Sequence, residues 1–328
     1  MIKKFLDKVP AGMMIVPMFI SSILNTFFPQ IFQIGSFTTA IFTSAGVAAI
    51  IGVQLVCMGS QLRLGKLMSV VKRGGVLLVS KFAIGAIIGI FIGKVFGMDG
   101  FMGLTTLAVL SAITNSNGSL YLALMSTYGD EVDQSAMSFL AINDGPFLTL
   151  VALGASGLAN IPFISLVAVI VPIVFGMVLG NLDEDMSKFL APGVGLLVPF
   201  VGITLGAGIN ITDIAQGGFS GILLGLVTIG ISGPFVVLMD RKLNKRPGYA
   251  GWAVSTTAGN AIAVPAVVAT LDPAWLPYVA TATTQVAAST VFTAITIPFI
   301  TSWWVKKYGS PQKPISESNI KGELANEM

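Results

Sequence analysis

Apolar runs of about twenty residues recur along the whole chain, each ending at a short patch of charge or turn residues. Twenty apolar residues wound as an α-helix span about 30 Å, the thickness of a bilayer's hydrocarbon core. In hydrocarbon every backbone N–H and C=O must find its partner within the protein, so such runs cross as helices. Composition agrees: of 328 residues 54% are hydrophobic and 10% are charged, where soluble domains carry about 25% charged residues. The fold class expected is all-α, a polytopic membrane protein surrounded by lipid bilayer. The chain has no histidine and a single cysteine, Cys57. That excludes Cys/His metal clusters, a Ser-His-Asp triad and an intrachain disulfide framework, so no cofactor and no metal are expected. The net charge of +3 reflects basic loops and not nucleic-acid binding.

Ten spans are expected, at 9–28, 37–58, 74–96, 101–126, 135–158, 162–180, 189–208, 219–239, 248–271 and 276–304. Lys3, Lys4 and Lys8 lead straight into span 1 without a small-residue cleavage site, so the first span is expected to be retained. With the N-terminus cytoplasmic, sixteen Lys and Arg residues fall on the cytoplasmic side, Lys94 alone falls opposite, and Lys81 lies inside span 3. The positive-inside rule then places both termini in the cytoplasm. Trp303 and Trp304, followed by Lys306 and Lys307, suit an interfacial anchor. The polar tail from Ser310 is expected to be disordered.

Two halves of five spans must enter the membrane from opposite sides, the inverted-repeat arrangement of secondary transporters. Polar breaks occupy equivalent spans: Thr114-Asn115-Ser116-Asn117-Gly118-Ser119 in span 4 and Ser255-Thr256-Thr257-Ala258-Gly259-Asn260 in span 9. Gly118 and Gly259 are 141 residues apart, and the same offset relates Asp144 to Gln285. Side-chain amides and hydroxyls in mid-membrane can bond a backbone that leaves the helix. The half-helix N-termini so created carry free N–H groups and positive dipole ends. A packing role explains a single Ser or Thr equally well; paired breaks in corresponding halves point to a midplane substrate site.

Asp144 lies roughly 15 Å of helix into span 5, where a carboxylate needs neutralisation, pairing or water. It is the candidate proton carrier, with Gln285, Thr284 and Lys81 as candidate neighbours. Lys81 could snorkel to the interface, pair with Asp144 or attract an anion. Gln285 cannot titrate, so proton coupling would differ between the halves.

Lys8-Val9-Pro10-Ala11-Gly12-Met13-Met14-Ile15-Val16-Pro17, Cys57-Met58-Gly59-Ser60, Thr114-Asn115-Ser116-Asn117-Gly118-Ser119-Leu120-Tyr121 and Gly180-Asn181-Leu182-Asp183 occur here in that order. In these the chain resembles the 2-keto-3-deoxygluconate permease family, nearly end to end, and through it the superfamily of bile-acid and arsenite transporters. The resemblance implies a bacterial inner-membrane permease that imports a carboxylate sugar acid with a co-transported proton, by elevator-like motion of a core against a panel. It implies panel segments 1–60 and 159–210 (spans 1, 2, 6 and 7), core segments 61–158 and 211–305 (spans 3 to 5 and 8 to 10), and a disordered cytoplasmic tail, 306–328. Spans 4 and 9 would cross at the two breaks, with Asp144 nearby as the coupling acid. The substrate carboxylate would sit at Asn117, Gly118, Gly259 and Asn260, its hydroxyls at Asn115, Ser116, Thr256 and Thr257, and Ser119 and Ser255 would complete the site. A homo-oligomer is compatible with this reading. A sodium-coupled organic-anion carrier stays open, as does an intramembrane enzyme with Asp144 as acid or base, although no second carboxylate or nucleophile-base pair lies at matching depth.

Overall fold

The structure, a computed structural model, describes residues 1–6, 12–62, 68–143, 145–208 and 210–314. Helix accounts for nearly every apolar run, and among the described residues the single β-bridge is Phe101 with Leu104. After the short α1 (Ile2–Leu6), the first half comprises α2 (Gly12–Phe27), α3 (Ser36–Phe42), α4 (Val47–Gly59), α5 (Met68–Phe96), α6 (Thr106–Ile113), α7 (Gly118–Tyr128), α8 (Glu131–Ser135), α9 (Met137–Leu140) and α10 (Pro146–Ser156). The second comprises α11 (Phe163–Leu182), α12 (Glu184–Gly206), α13 (Ile211–Val227), α14 (Gly233–Leu243), α15 (Tyr249–Val254), α16 (Val264–Leu271) and α17 (Val279–Tyr308).

By length and composition, Met68–Phe96, Glu184–Gly206, Gly217–Leu243 and Pro273–Tyr308 can each cross a bilayer unbroken, and α3 with α4 forms a pair bent by 65°. The other apolar runs are shorter or interrupted. Span 2 is therefore not the straight helix its hydropathy suggests, because α3 ends at an extended Thr43. Span 5 is interrupted too: a 3₁₀ turn, Ala141–Asn143, follows α9, and α10 restarts with Pro146 in its first turn, where its missing N–H is not needed. A π-helical turn, Thr228–Ser232, joins α13 to α14. Large apolar side chains such as Val79, Ile87, Phe91, Phe163, Val171, Phe175 and Phe299 point outward, as a lipid-facing surface requires.

The helices pack as two groups. In one, α12 lies against α2 and α4, and α11 lies against α4. In the other, α5 packs on α6 and α14, α13 runs along α17, and α6 touches α17. Glycine permits the closest approaches. A Cβ on Gly59 would lie 2.1 Å from Ile173 O, on Gly176 2.0 Å from Val56 O, and on Gly180 2.0 Å from Ser60 O. Backbones of α4 and α11 thus touch directly, the small-residue packing that replaces the hydrophobic effect in lipid.

The helix at the C-terminal end passes the expected tail boundary. Lys306, Lys307 and Tyr308 are helical, Gly309 caps α17 at φ 73°, and the next residues form a turn closed by Lys313 N–H to Ser310 O. Gln312 N–H donates to Tyr128 O at 3.3 Å, so 306–314 is seated against the end of α7; 315–328 lies outside the described residues. Gly180→Ala is expected to cost about 1–3 kcal/mol through overpacking, read as a lower Tm in detergent; an unchanged Tm would refute the tight α4–α11 contact.

Candidate substrate site at the crossing of two broken helices

α6 begins at Thr105, whose Oγ1 accepts Ala108 N–H at 3.2 Å, and runs to Ile113. There the side chains take over from the backbone. Asn115 Nδ2 donates to Ser111 O at 2.8 Å, the carbonyl that the Asn115 N–H would reach in a continued helix. Asn115 Oδ1 accepts Gly145 N–H at 3.0 Å, and Ser116 Oγ donates to Asn143 Oδ1 at 2.8 Å. Asn117 then caps α7, accepting Leu120 N–H at 3.0 Å.

The second break is held in a related way. α15 ends at Ser255, whose Oγ donates to Gly251 O at 2.7 Å. Thr257 N–H donates to Thr293 Oγ1 at 3.0 Å, and the Thr257 and Ser289 hydroxyls meet at 2.7 Å. Gly259 precedes a 3₁₀ turn, Asn260–Ala263, with no side-chain cap bond. The breaks touch: Asn117 N–H donates to Thr256 Oγ1 at 2.9 Å.

Burial divides the predicted ligands. Asn115, Ser116, Ser255, Thr256 and Thr257 are at most 1% exposed and each makes a bond that holds a break. Asn117, Gly259 and Asn260 are half-buried, Gly118 is buried, and Ser119 lies in α7. A Cβ on Gly259 would meet nothing within 4 Å. Asn260 lines a narrow cleft between the two helix groups, with Gly145 and Pro146 on its side and Met14, Gln54 and Leu55 opposite. A larger cavity of about 300 Å³ lies between Val47, Thr204 and Leu205 and the facing Ala266, Thr270 and Thr283. Among the described residues no cluster of His, Cys, Asp or Glu could hold a metal.

Sequence reasoning missed the residues that receive the broken backbone. Thr149 Oγ1 meets Thr114 Oγ1 at 2.8 Å and accepts Asn115 Nδ2 at 3.1 Å; Thr290 Oγ1 donates to Ala258 O at 3.1 Å. These two threonines are 141 residues apart, the offset that relates the breaks, so applying it to every hydroxyl residue would have found them. Asn143, Ser289 and Thr293 carry no such signal.

The three residues expected around the coupling acid bond different partners. Asp144 lies outside the described residues, though its chain neighbours Asn143 and Gly145 both bond the first break. Gln285 is not at the crossing: its Nε2 donates to Gly103 O at 2.6 Å and Ser220 Oγ at 3.0 Å, and its Oε1 accepts the Thr105 N–H and hydroxyl, each at 3.1 Å. It holds the start of α6, about 12 Å along α17 from Thr293 at 1.5 Å per residue. Thr284 Oγ1 donates to Thr281 O at 2.9 Å in the same turn. Lys81 is fully buried and donates to Ser232 Oγ at 3.1 Å, so it does not snorkel.

A charge cluster lies at the other end of α7, where sequence reading saw only loop charges. Arg73 Nη1 reaches Asp130 Oδ1 at 2.6 Å and Asp133 Oδ1 at 2.9 Å, and Arg246 Nη2 reaches Asp133 Oδ2 at 2.6 Å. Tyr249 Oη donates to Asp133 Oδ2 at 2.5 Å, and Tyr121 Oη to Asp133 O at 2.8 Å. Asp130 and Asp133 form a reciprocal capping box on α8. The cluster joins α5, α7, α8 and α15. Burial pushes the Asp130 carboxyl up, but Arg73, the Asp133 backbone N–H and Arg246 outweigh it and hold it below the usual carboxylate range.

The 2-keto-3-deoxygluconate permease family model matches residues 3–310. The chain belongs to that family. A Salmonella typhimurium protein named 2-keto-3-deoxygluconate permease 1 is 46% identical over 306 residues, covering 93% of this chain and 96% of that protein. A 2-keto-3-deoxygluconate permease of Escherichia coli O7:K1 is 35% identical over 312 residues, covering 93% and 95%. The molecule is thus a multi-pass membrane transport protein and not an enzyme.

Asn115→Ala orphans Ser111 O and Gly145 N–H, each worth about 1–3 kcal/mol when buried, and is expected to lower the permease's Tm more than Asn260→Ala, which is expected to raise the substrate KM. Equal effects on Tm would remove the distinction between scaffold and ligand. Because the folded Asp130 titrates low, its contribution is full above about pH 4, the unfolded value, and is lost as pH falls through the depressed folded value. Asp130→Asn should therefore flatten the acid limb of Tm against pH; a parallel curve would contradict this.

Proposed function

We propose that the permease is a secondary active transporter that imports 2-keto-3-deoxygluconate with a proton across the bacterial inner membrane. Its ten spans form two inverted five-span repeats, with both termini cytoplasmic. The observation that carries this reading is the Asn117–Thr256 bond, which joins two broken helices from opposite halves of the chain. Interrupted helices meeting in mid-membrane turn N–H groups toward a bound anion. Family membership and the names of the relatives support the sugar acid as substrate. Sixteen basic residues assigned to one side against Lys94 on the other support the orientation.

The substrate carboxylate binds at Asn117, Gly118, Gly259 and Asn260, beside the cleft between the two helix groups. Asn115, Ser116, Ser255, Thr256 and Thr257 hold the broken backbone in the geometry that receives it, and Ser119 extends the α7 side. α2, α4, α11 and α12 act as the panel, and α5 to α10 with α13 to α17 act as the core. The core slides along the panel, carrying the site across. The largely apolar lining of the clefts between them, Leu55, Met58, Pro146 and Val201 beside Gln54 and Asn260, supports sliding, and the Ile211 N–H to Thr26 Oγ1 bond would have to break as the core moves. Asp144, between two residues bonded to the first break, carries the proton.

In proteoliposomes, labelled 2-keto-3-deoxygluconate should accumulate under an inward proton gradient, without sodium, and stop when the gradient is collapsed. Asp144→Asn should abolish uphill uptake and retain exchange. Accumulation by Asp144→Asn equal to that of the unaltered protein would remove the acid from the mechanism. Accumulation that requires sodium would replace the proton as coupling ion, and no accumulation under any gradient would remove the substrate assignment.

A further inference from the structure

Lys81 is among the largest fully buried side chains in the molecule, and nothing in the crossing itself uses its amine. Its Nζ donates to Ser232 Oγ at 3.1 Å, and Ser232 ends the π-helical turn Thr228–Ser232. Such turns are rare and concentrate at functional sites. Two close contacts fix the level of the amine. Gly85, one turn further along α5, would place a Cβ 2.7 Å from Thr114 N, where α6 stops. Gly233, next to Ser232, would place one 2.4 Å from the Trp252 ring, three residues before α15 stops at Ser255. Lys81 and its acceptor Ser232 therefore lie about one to two helical turns, roughly 5–10 Å, from the two breaks, on the side facing the Arg73–Asp133 cluster.

An ammonium carries three donors, and this one has a neutral hydroxyl as its hydrogen-bond acceptor. Among the described residues no carboxylate lies within ion-pair distance of Nζ. Asp144 lies outside the described residues, and none of the other titratable groups on the surrounding elements is bonded to Lys81. Asp240 of α14 accepts from Asn244; Tyr121 of α7 and Tyr249 of α15 donate to Asp133 of α8, which pairs with Arg73 of α5. Glu131 of α8 is exposed, and α6, α9 and α10 carry no titratable side chain. Among the described residues a charged Lys81 is thus poorly compensated, and an anion at the crossing supplies compensating charge.

We propose that Lys81, seated on Ser232, takes up a proton when the anionic substrate enters the crossing and releases it when the anion leaves, so that the amine and the anion move as a neutral pair. This rests on the sugar-acid symport reading and adds a second protonatable group to it. The coupling is reciprocal by linkage: the anion favours the ammonium, and the ammonium favours the anion to the same degree. Across about 10 Å at an effective dielectric near 20, the attraction corresponds to roughly tenfold in affinity.

The test is proton uptake by the purified full-length protein in weakly buffered detergent, titrated with 2-keto-3-deoxygluconate, with binding followed by calorimetry. Lys81→Met should bind roughly tenfold more weakly and take up about one proton fewer per substrate bound than the unaltered protein. Ser232→Ala removes the acceptor that favours the ammonium, so the midpoint of proton uptake against pH should move to lower pH. Unaltered proton uptake in Lys81→Met overturns the proposal while leaving symport intact. Should Lys81→Met not bind, an unmoved midpoint in Ser232→Ala overturns it. Binding without any proton uptake by the unaltered protein overturns this proposal, while proton symport is judged separately by gradient-driven accumulation in proteoliposomes.

Discussion

A helix that stops inside a membrane releases backbone groups with no water to receive them, and each orphan costs on the order of several kcal/mol. Two helices stop here, and the rest of the core is arranged to receive what they release. Asn115 replaces its own backbone N–H at Ser111 O with a side-chain N–H. Thr149, Asn143, Ser289, Thr290 and Thr293 project hydroxyls or amides from neighbouring segments into the two breaks. The Asn117–Thr256 bond then ties one break to the other. Removing any one of these groups leaves a buried donor or acceptor, so they act as one network.

Close packing and charge hold that network in register. Gly85, Gly89 and Gly93 let α5 lie directly on α6, from Thr114 through Leu110 to Thr106. Gln285 anchors the far end of α6 through Thr105 and Gly103, while the Arg73–Asp130–Asp133–Arg246 cluster secures the far end of α7. Polar bonds are thus concentrated within the helix group that holds both breaks, while the clefts to the other group are lined largely by apolar side chains.

Much of this was legible in the sequence because a polar run inside an apolar span has few explanations. The breaks at 114–119 and 255–260 were visible for that reason, and the 141-residue offset linked them. Their partners were harder to see. A lone Thr149 or Thr293 in an apolar helix reads as a packing residue, since only the fold reveals the broken backbone it faces. Gln285, which the offset relates to Asp144, serves the start of α6, since equal spacing in sequence does not fix the task of each side chain. The bend between α3 and α4 carries no signature in hydropathy, which counts apolar residues and not their direction. The charge cluster was hidden because pairing among residues 73, 130, 133 and 246 depends on which loops meet.

Asn117, Gly259 and Asn260 are the half-buried groups at the crossing, and Asn260 lines the cleft, so in the proposed reading these three, beside Gly118, meet the substrate. The most direct test is a cryo-electron-microscopy map of the protein saturated with 2-keto-3-deoxygluconate. The account predicts substrate density against these three residues, its carboxylate toward the start of α7 or the Asn260 turn. Substrate ordered in the cavity beside Thr204 and Thr283, with no density at the crossing, would contradict it.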